Sequence, residues 1–382
     1  MTTQLFQNAA NSADLAADSA ITVDLDAIVE NWRYIDSLSS PKTKTAAMVK
    51  ANGYGLGSGA VASALAGAGA EIFFVASLGE AIELRQIFRA KNHDNLPIMV
   101  LHGAQRGQED ALAAHHLIPV LNDLEQISRW QLFAKKTGTS LPALLHFDTG
   151  MTRLGLDADQ ADWLIQNKAA LDGLDIAYVM SHLVSGELID DPVNRRQLAC
   201  FNDLRSWFPG VPSSLANSAG CLLGRDYHFQ MTRPGIALYG IHPLEKVTAQ
   251  LRPVFDWQAR ILQIRHAVAG DRVGYGGTVE LQRDSRIATI GVGYADGYRR
   301  QLGGKAKVSI GGQVAPVIGR ISMDSITVDV TDLDKAALRA DFAALIHDDY
   351  RLEAMAADLG TISYEIITNL GQRANWHYHG GV

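Results

Sequence analysis

Between residues 21 and 240 the chain alternates short, nearly continuous apolar runs with stretches in which apolar positions recur at helical spacing. The runs, at 45–50, 72–77, 97–102, 117–122, 143–148, 176–181, 213–218 and 231–239, are rich in Val, Ile, Leu, Ala and Phe. Unbroken apolar runs of this length suit strands buried on both faces, as in a parallel sheet. Helical patterns lie between them at 79–90, 123–136, 158–171 and 194–207, with another at 26–37 ahead of the first run. Asp123 and Asp157 stand where N-caps belong. Eight strand–helix units in roughly 220 residues match the rhythm of a (β/α)8 barrel, whereas a doubly wound sheet would usually have fewer strands.

The pattern changes after Gly240. Runs at 257–266, 285–294, 307–311, 314–318 and 324–330 are separated by Gly and Asp turns, and Gly311-Gly312 is a hairpin signal. Helical periodicity returns only at 350–359 and 363–370. The fold class is therefore α/β. The pattern predicts a flexible N-terminal extension over 1–20 and a TIM-like (β/α)8 barrel over 21–244, whose first strand could join the following domain. A mostly-β C-terminal domain follows over 245–382. The closing HYHGG reads as a mobile tail.

Composition narrows the function class. The 382 residues are 47% hydrophobic and 20% charged, which excludes a disordered or collagen-like chain. Basic residues number 34 against 41 acidic, a net charge of −7 with no long basic cluster, so no nucleic-acid surface is expected. The uncharged stretch 51–70 carries six glycines and suits a loop and a packed helix better than a membrane span. Cys200 and Cys221 make no disulfide framework, the histidines show no metal spacing, and no basic-then-apolar leader opens the chain. The expectation is a cytoplasmic protein without a metal.

The polar residues at the strand ends carry the candidate chemistry. Lys50 ends the first run, Asp148 ends the fifth with Arg153 beyond it, and His182 follows the sixth. Asn217 and Ser218 close the seventh, and Arg233 lies within the eighth, ahead of Gly235. All of these fall toward the C-terminal mouth, where barrel enzymes place their catalytic groups. Taken singly, each has a plain structural reading. Lys50 is either a solvated charge or a desolvated, nucleophilic amine. Ser218 is either an N-cap or, with Gly235, part of an anion-binding loop pair. Asn217 could be a turn residue, Arg153 a surface residue near a capping Asp148 or Thr149, and His182 a hydrogen-bonded buried histidine. Arg233, in an apolar strand, demands an acceptor. Tyr294 reads as edge packing at the end of a strand, Met323 as core filling and Tyr364 as a helix-surface aromatic.

Together and in this order, VKANGYG, DTGMTRLG, SHL, ANSAG, RPGIALYG, GYADGY, GRISMD and ISYE resemble the motifs of the alanine racemases, over roughly residues 21–373. The resemblance implies a pyridoxal 5'-phosphate (PLP) enzyme, a (β/α)8 barrel followed by a β domain, that interconverts L- and D-alanine and supplies D-alanine for peptidoglycan. It implies that Lys50 carries PLP and serves as one base, and that Tyr294 is the opposite base, reaching a neighbouring subunit's site in a homodimer. Tyr54, Ser218, Gly235, Ile236 and Tyr364 would contact the phosphate, with Asn217 beside them. Arg233 would face the pyridine nitrogen. Arg153 would lie near the phenolic oxygen and the substrate carboxylate, His182 would support Arg233 and Tyr294, and the Met323 backbone would bind the carboxylate.

Many members of that family have a lysine, in some carbamylated to hold the arginine, two residues before the Asp of DTGM. Here His146 stands there, so another anion, bound or from a side chain, is expected beside Arg153. Gly53, Leu56 and the residues after SHL also depart from the family pattern and leave substrate range open, including a serine or broader-specificity racemase. A PLP-dependent decarboxylase of the same architecture would be expected to carry an acid where Arg233 stands. A non-enzymatic PLP-carrier barrel would lack the β domain and Tyr294.

Overall fold

The computed structural model describes residues 17–244 and 250–381. They fall into two compact units: Leu25–Val254 form most of one, while Phe255–His379 and the strand ahead of Leu25 form the other. Most of the proposed N-terminal extension, residues 1–16, lies outside the described residues.

In the first unit, strands Ala47–Met48, Phe73–Val75, Ile98–Val100, Leu117–Leu121, Leu141–His146, Leu174–Met180 and Ser213–Ser214 pair in chain order as a parallel sheet. Lys44–Thr45 pairs parallel with Met231–Thr232. Further backbone bonds close the ring. Ala46 and Met48 donate to Thr232 and Pro234 at 2.9 and 3.2 Å, while Ala47 and Val49 donate the other way, to Ile72 and Phe74, at 2.8 and 2.9 Å. Gln230 donates to Ser213 at 3.1 Å and Arg233 to Ala216 at 2.9 Å. The result is the eight-stranded parallel barrel that the apolar runs predict. Phe73–Val75 and Ile98–Val100 are buried at every position, which is why their sequences do not alternate.

Several strands are shorter than their apolar runs. The run at 213–218 gives only Ser213–Ser214, because Asn217 caps the helix Ser218–Leu223 by accepting the Gly220 N–H at 2.9 Å. The run at 231–239 gives only Met231–Thr232, so Arg233 stands one residue past the strand. Pro234 offers no N–H to a ladder, and Ile236–Tyr239 turns into a 3-10 helix. Lys50 opens a turn rather than ending a strand. The helix expected over 158–171 stops at Gln166, where Asn167 leaves helical geometry, and resumes as a 3-10 turn over Lys168–Leu171. Asp123 and Asp157 do cap their helices, accepting the Gln126 and Gln160 N–H at 2.7 and 2.9 Å.

The second unit is an antiparallel sheet built on the 13-residue strand Phe255–Ala267. Its neighbours are Ser285–Ile290, Phe342–Ala344 and Ser19–Asp24. Through Ile326–Asp329, Gln313–Ile318 and Lys307–Ile310 the sheet curls back on itself, with the hairpin at Gly311-Gly312 as expected. Two expectations fail here. Residues 19 and 20 are strand, not extension, and the C-terminal HYH lies in Asn375–His379, paired parallel with Ser19–Asp24. An Asp24–His379 contact at 3.9 Å marks the end of that ladder.

A buried arginine ties the barrel's loops. Arg85, 2% exposed, donates to the carbonyls of His115 (3.0 Å), Asp94 (2.6 Å), Leu96 (3.0 Å) and His116 (3.0 Å). Arg85→Met keeps most of the apolar stem but strands four acceptors. It should lower the unfolding free energy by about 3 kcal/mol in urea titrations, and an unchanged midpoint would contradict this role.

Candidate functional site

The strand at Lys50 gives way to an unusual turn. Ala51, Asn52, Gly53, Tyr54 and Gly55 all have left-handed φ values, from 52° to 89°. For Ala and Tyr this conformation costs roughly 1–2 kcal/mol per residue, less for Asn, so the surroundings must hold it. The turn is bonded internally, Gly53 N–H to Val49 O at 2.9 Å and Gly55 N–H to Ala51 O at 2.8 Å. It is bonded externally where Ala51 N–H donates to Glu80 Oε1 at 2.9 Å. Lys50 is half-buried. Burial lowers its amine pKa from the ordinary lysine value, the Arg153 charge adds to the effect, and Glu80 opposes it.

The loops after the last two strands meet at Ser218. Its Oγ accepts the N–H of Gly235 at 2.8 Å and of Ala237 at 3.3 Å, with the Ile236 amide between them. The hydroxyl proton is then left to donate. At Gly235 an added Cβ would come within 2.1 Å of Tyr54 Oη, so only glycine lets the phenol approach. Tyr54 packs against Tyr239 at 4.6 Å between ring centroids, and Tyr239 Oη donates to Met48 O at 3.0 Å. Tyr54, Ser218 and the Gly235-Ile236 pair, from three separate segments, thus form one small polar cradle at the barrel mouth. The buried Arg233 finds the acceptors it requires: Ser214 Oγ, Ser181 O at 2.6 Å and Leu215 O at 3.4 Å. Burial pushes its guanidinium down to about 10, still well above neutrality.

His146 is buried and hydrogen-bonded through Nδ1 to Asn122 Oδ1 at 2.8 Å. Because Asn122 Nδ2 donates to Leu101 O and Val120 O, Oδ1 must accept, and His146 therefore carries its proton on Nδ1. Burial pushes the imidazole down to about 3, with the Arg233 charge adding to it. His182 is likewise held well below the ordinary histidine value by burial and by Arg233. Arg233 directs its bonds to the serine and backbone oxygens rather than to His182.

One further expectation needs correction. Asp148 caps no helix; its carboxylate accepts the N–H groups of Gly150, Met151 and Thr152 at 2.8–2.9 Å and closes the loop that carries Arg153. Nor does a carboxylate stand in for the lysine carbamate: Arg153 is exposed, and its guanidinium pairs with no side chain among the described residues.

In the second unit Tyr294 lies beyond its strand, in the 3-10 turn Tyr294–Asp296, and not at the strand end as the apolar run suggested. Its N–H donates to Ser322 O and that of Ala295 to Met323 O, both at 3.1 Å. A Cβ on Gly293 would lie 2.2 Å from Met323 O, so the two turns touch only because that residue is glycine. Arg373 clamps them further. It is bidentate to Asp296 at 2.9 Å and reaches Asp324 at 2.7 Å, while Asp296 also accepts the Gly293 N–H at 2.9 Å. Met323 is 52% exposed, so it is not core filling; Tyr294 is 43% exposed and Tyr364 39%. Sequence reading missed Glu80 and Arg373. The Ser77-x-x-Glu80 spacing is a capping-box signal that could have drawn attention to Glu80; Arg373 left no signal.

Residues 23–243 match the family described as alanine racemase, N-terminal domain, and residues 254–378 its C-terminal domain. An alanine racemase of Brucella abortus is 45% identical over 374 residues, covering 94% of this chain and 93% of that protein. A catabolic alanine racemase of Agrobacterium fabrum is 41% identical, covering 95% and 92%. The crystal structure of the Bartonella henselae alanine racemase with covalently bound pyridoxal phosphate superposes with a TM-score of 0.90 at 40% identity, covering 95% of this chain and 100% of that one. A biosynthetic alanine racemase of Pseudomonas aeruginosa superposes with a TM-score of 0.85 at 33% identity, covering 95% and 100%.

Gly235→Ala should cost about 1–3 kcal/mol by driving a methyl into Tyr54, and in a double-mutant cycle with Tyr54→Ala the two losses should be less than additive. Additive losses would remove the contact from the account. The histidines give a pH prediction. A histidine held neutral in the fold binds its proton more readily when unfolded, so stability declines as pH falls from about 6.5 toward 3. In urea titrations across that window, His146→Gln should show a shallower decline than the parent.

Proposed function

The chain belongs to the alanine racemase family, and from that premise we propose that it interconverts L- and D-alanine with PLP held at Lys50. The observation that carries the proposal is the cradle of Tyr54, Ser218, Gly235 and Ile236 at the same barrel mouth as a half-buried, pKa-lowered lysine. A hydroxyl with a proton to give, beside a phenol that only a glycine at 235 admits, fits a phosphate monoester, with Asn217 fixing the loop. Arg233, protonated at neutral pH, would face the pyridine nitrogen and keep its own proton. That favours proton transfer over side reactions such as transamination. Bound PLP would supply the electron sink that makes a Cα–H acidic.

Racemisation breaks that bond on one face and remakes it on the other, so each face needs a base. The Lys50 amine holds or gives the proton on one face, and the Tyr294 hydroxyl does so on the other. The phenol, with an unperturbed pKa of about 10, would need a cationic or hydrogen-bonding neighbour to act near neutral pH. Arg153 and the Met323 backbone would hold the substrate carboxylate, and Tyr364 would complete the phosphate contacts. The active form would be a homodimer in which Tyr294 serves the neighbouring subunit's Lys50, with His182 supporting Tyr294. Among the described residues no helix is long and apolar enough to cross a membrane. A cytoplasmic supply of D-alanine for peptidoglycan is the role we favour.

The test is incubation of the purified protein with PLP and L-alanine, L-serine or L-lysine, following optical rotation and CO₂ release. Loss of rotation, greatest with alanine, is expected; CO₂, or no racemisation with PLP bound, would overturn the proposal. Lys50→Ala should abolish the colour of covalently bound PLP. Tyr294→Phe should retain PLP but suppress Cα–H exchange with deuterated water for one enantiomer more than for the other.

A further inference from the structure

Glu80 lies outside every motif that carries the family resemblance, yet it joins the ends of the first two barrel strands. Its Oε1 accepts the N–H of Ala51, the residue after Lys50, at 2.9 Å. Its Oε2 accepts the N–H of Ala76 at 2.7 Å and of Ser77 at 3.4 Å, on the loop after Phe73–Val75. The carboxylate is itself fixed, because Glu80 is the third residue of a capping box in which Ser77 Oγ accepts the Glu80 N–H. One side chain therefore caps a helix and grips the first peptide of the left-handed turn.

We propose that Glu80 is the positioning residue for Lys50, fixing the strained turn over residues 51–55 that sets where the lysine leaves the barrel wall. The Gly55–Ala51 bond moves with the turn, and the Gly53–Val49 bond holds it only to the strand it leaves. The Ala51–Glu80 bond ties it to the second strand, whose own backbone lies in the closed ring. Charge-assisted bonds from backbone N–H groups to a carboxylate are among the stronger ones available, and here two loop ends share one carboxylate. Glu80 also opposes the lowering of the Lys50 amine pKa. It thus acts on the lysine through geometry and through charge.

The proposal rests on Lys50 being the PLP lysine, and the experiment separates the two. The full-length parent, Glu80→Gln and Ser77→Ala are compared with and without PLP. Ser77→Ala removes the acceptor of the Glu80 N–H, whereas Glu80→Gln removes the charge and leaves one acceptor oxygen for two loop ends, so only the latter weakens the grip on Ala51. Glu80→Gln should speed deuterium exchange of the 51–57 amides about tenfold and weaken PLP affinity, read by absorbance titration, by about tenfold, the scale of one charge-assisted bond. Ser77→Ala should lower the melting temperature comparably while leaving both readouts within about twofold. Unchanged exchange and affinity in Glu80→Gln, or equal changes in Ser77→Ala, would overturn the proposal. Borohydride reduction and peptide mapping of the parent test the underlying assignment: PLP on another lysine would sink that assignment, and the exchange rates would still decide whether Glu80 holds the turn.

Discussion

The barrel unit depends on one short segment bonded on both sides. From Lys44 to Val49, alternate N–H groups point to opposite neighbours, Lys44, Ala46 and Met48 toward the last strand and Ala47 and Val49 toward the second. A parallel sheet becomes a barrel only if some strand does this, since otherwise two rows of backbone donors and acceptors stay open. Its position in the sequence fixes the chemistry as well. The chain leaves the ladder at Val49, so the next residue, Lys50, is delivered to the mouth where the loops after the last two strands converge. The backbone closure and the placement of the amine are thus a single event.

The electrostatics of that mouth follow from the same crowding. Lys50, Arg153 and Arg233 bring positive charge to one region, and the buried His146 and half-buried His182 near them are held neutral by desolvation and by those charges. His146 answers the missing family lysine in a particular way. It offers no negative charge, and Asn122 commits its Nδ1 proton, so the ring adds hydrogen-bonding capacity without cancelling any cation. The region keeps a surplus of positive charge in a partly dry setting, which suits anionic groups such as a phosphate and a carboxylate.

The barrel was legible in the sequence because strands buried on both faces leave runs such as Ile72–Phe74 that no helix period explains. The strand ends were not. Apolar content continues past the ladder at Leu215, Ala216 and Ile236 because those residues are buried beyond the strand ends, and hydropathy reports burial rather than pairing. The same confusion placed Tyr294 on a strand and the C-terminal residues in a tail. The short polar strand Asn375–His379 is half-exposed and gains its order from one partner, so it has no apolar signature. Lys50 and Tyr294 were singled out as candidates only because several weak motifs occur in a fixed order. Glu80 and Arg373 escaped because what they do, gripping distant backbone and carboxylates, is visible only once the chain is folded.

The antiparallel unit takes its material from both sides of the barrel sequence. Ser19–Asp24 has its ladder partners at Phe255–Ala267 and Asn375–His379, more than two hundred residues downstream. During vectorial synthesis the barrel, nearly contiguous from Leu25 to Val254, can gather its strands as they emerge. The first strand cannot. It stays a solitary β-prone segment on the nascent chain until Phe255–Ala267 has been translated, and its second edge is covered only when Asn375–His379 follows.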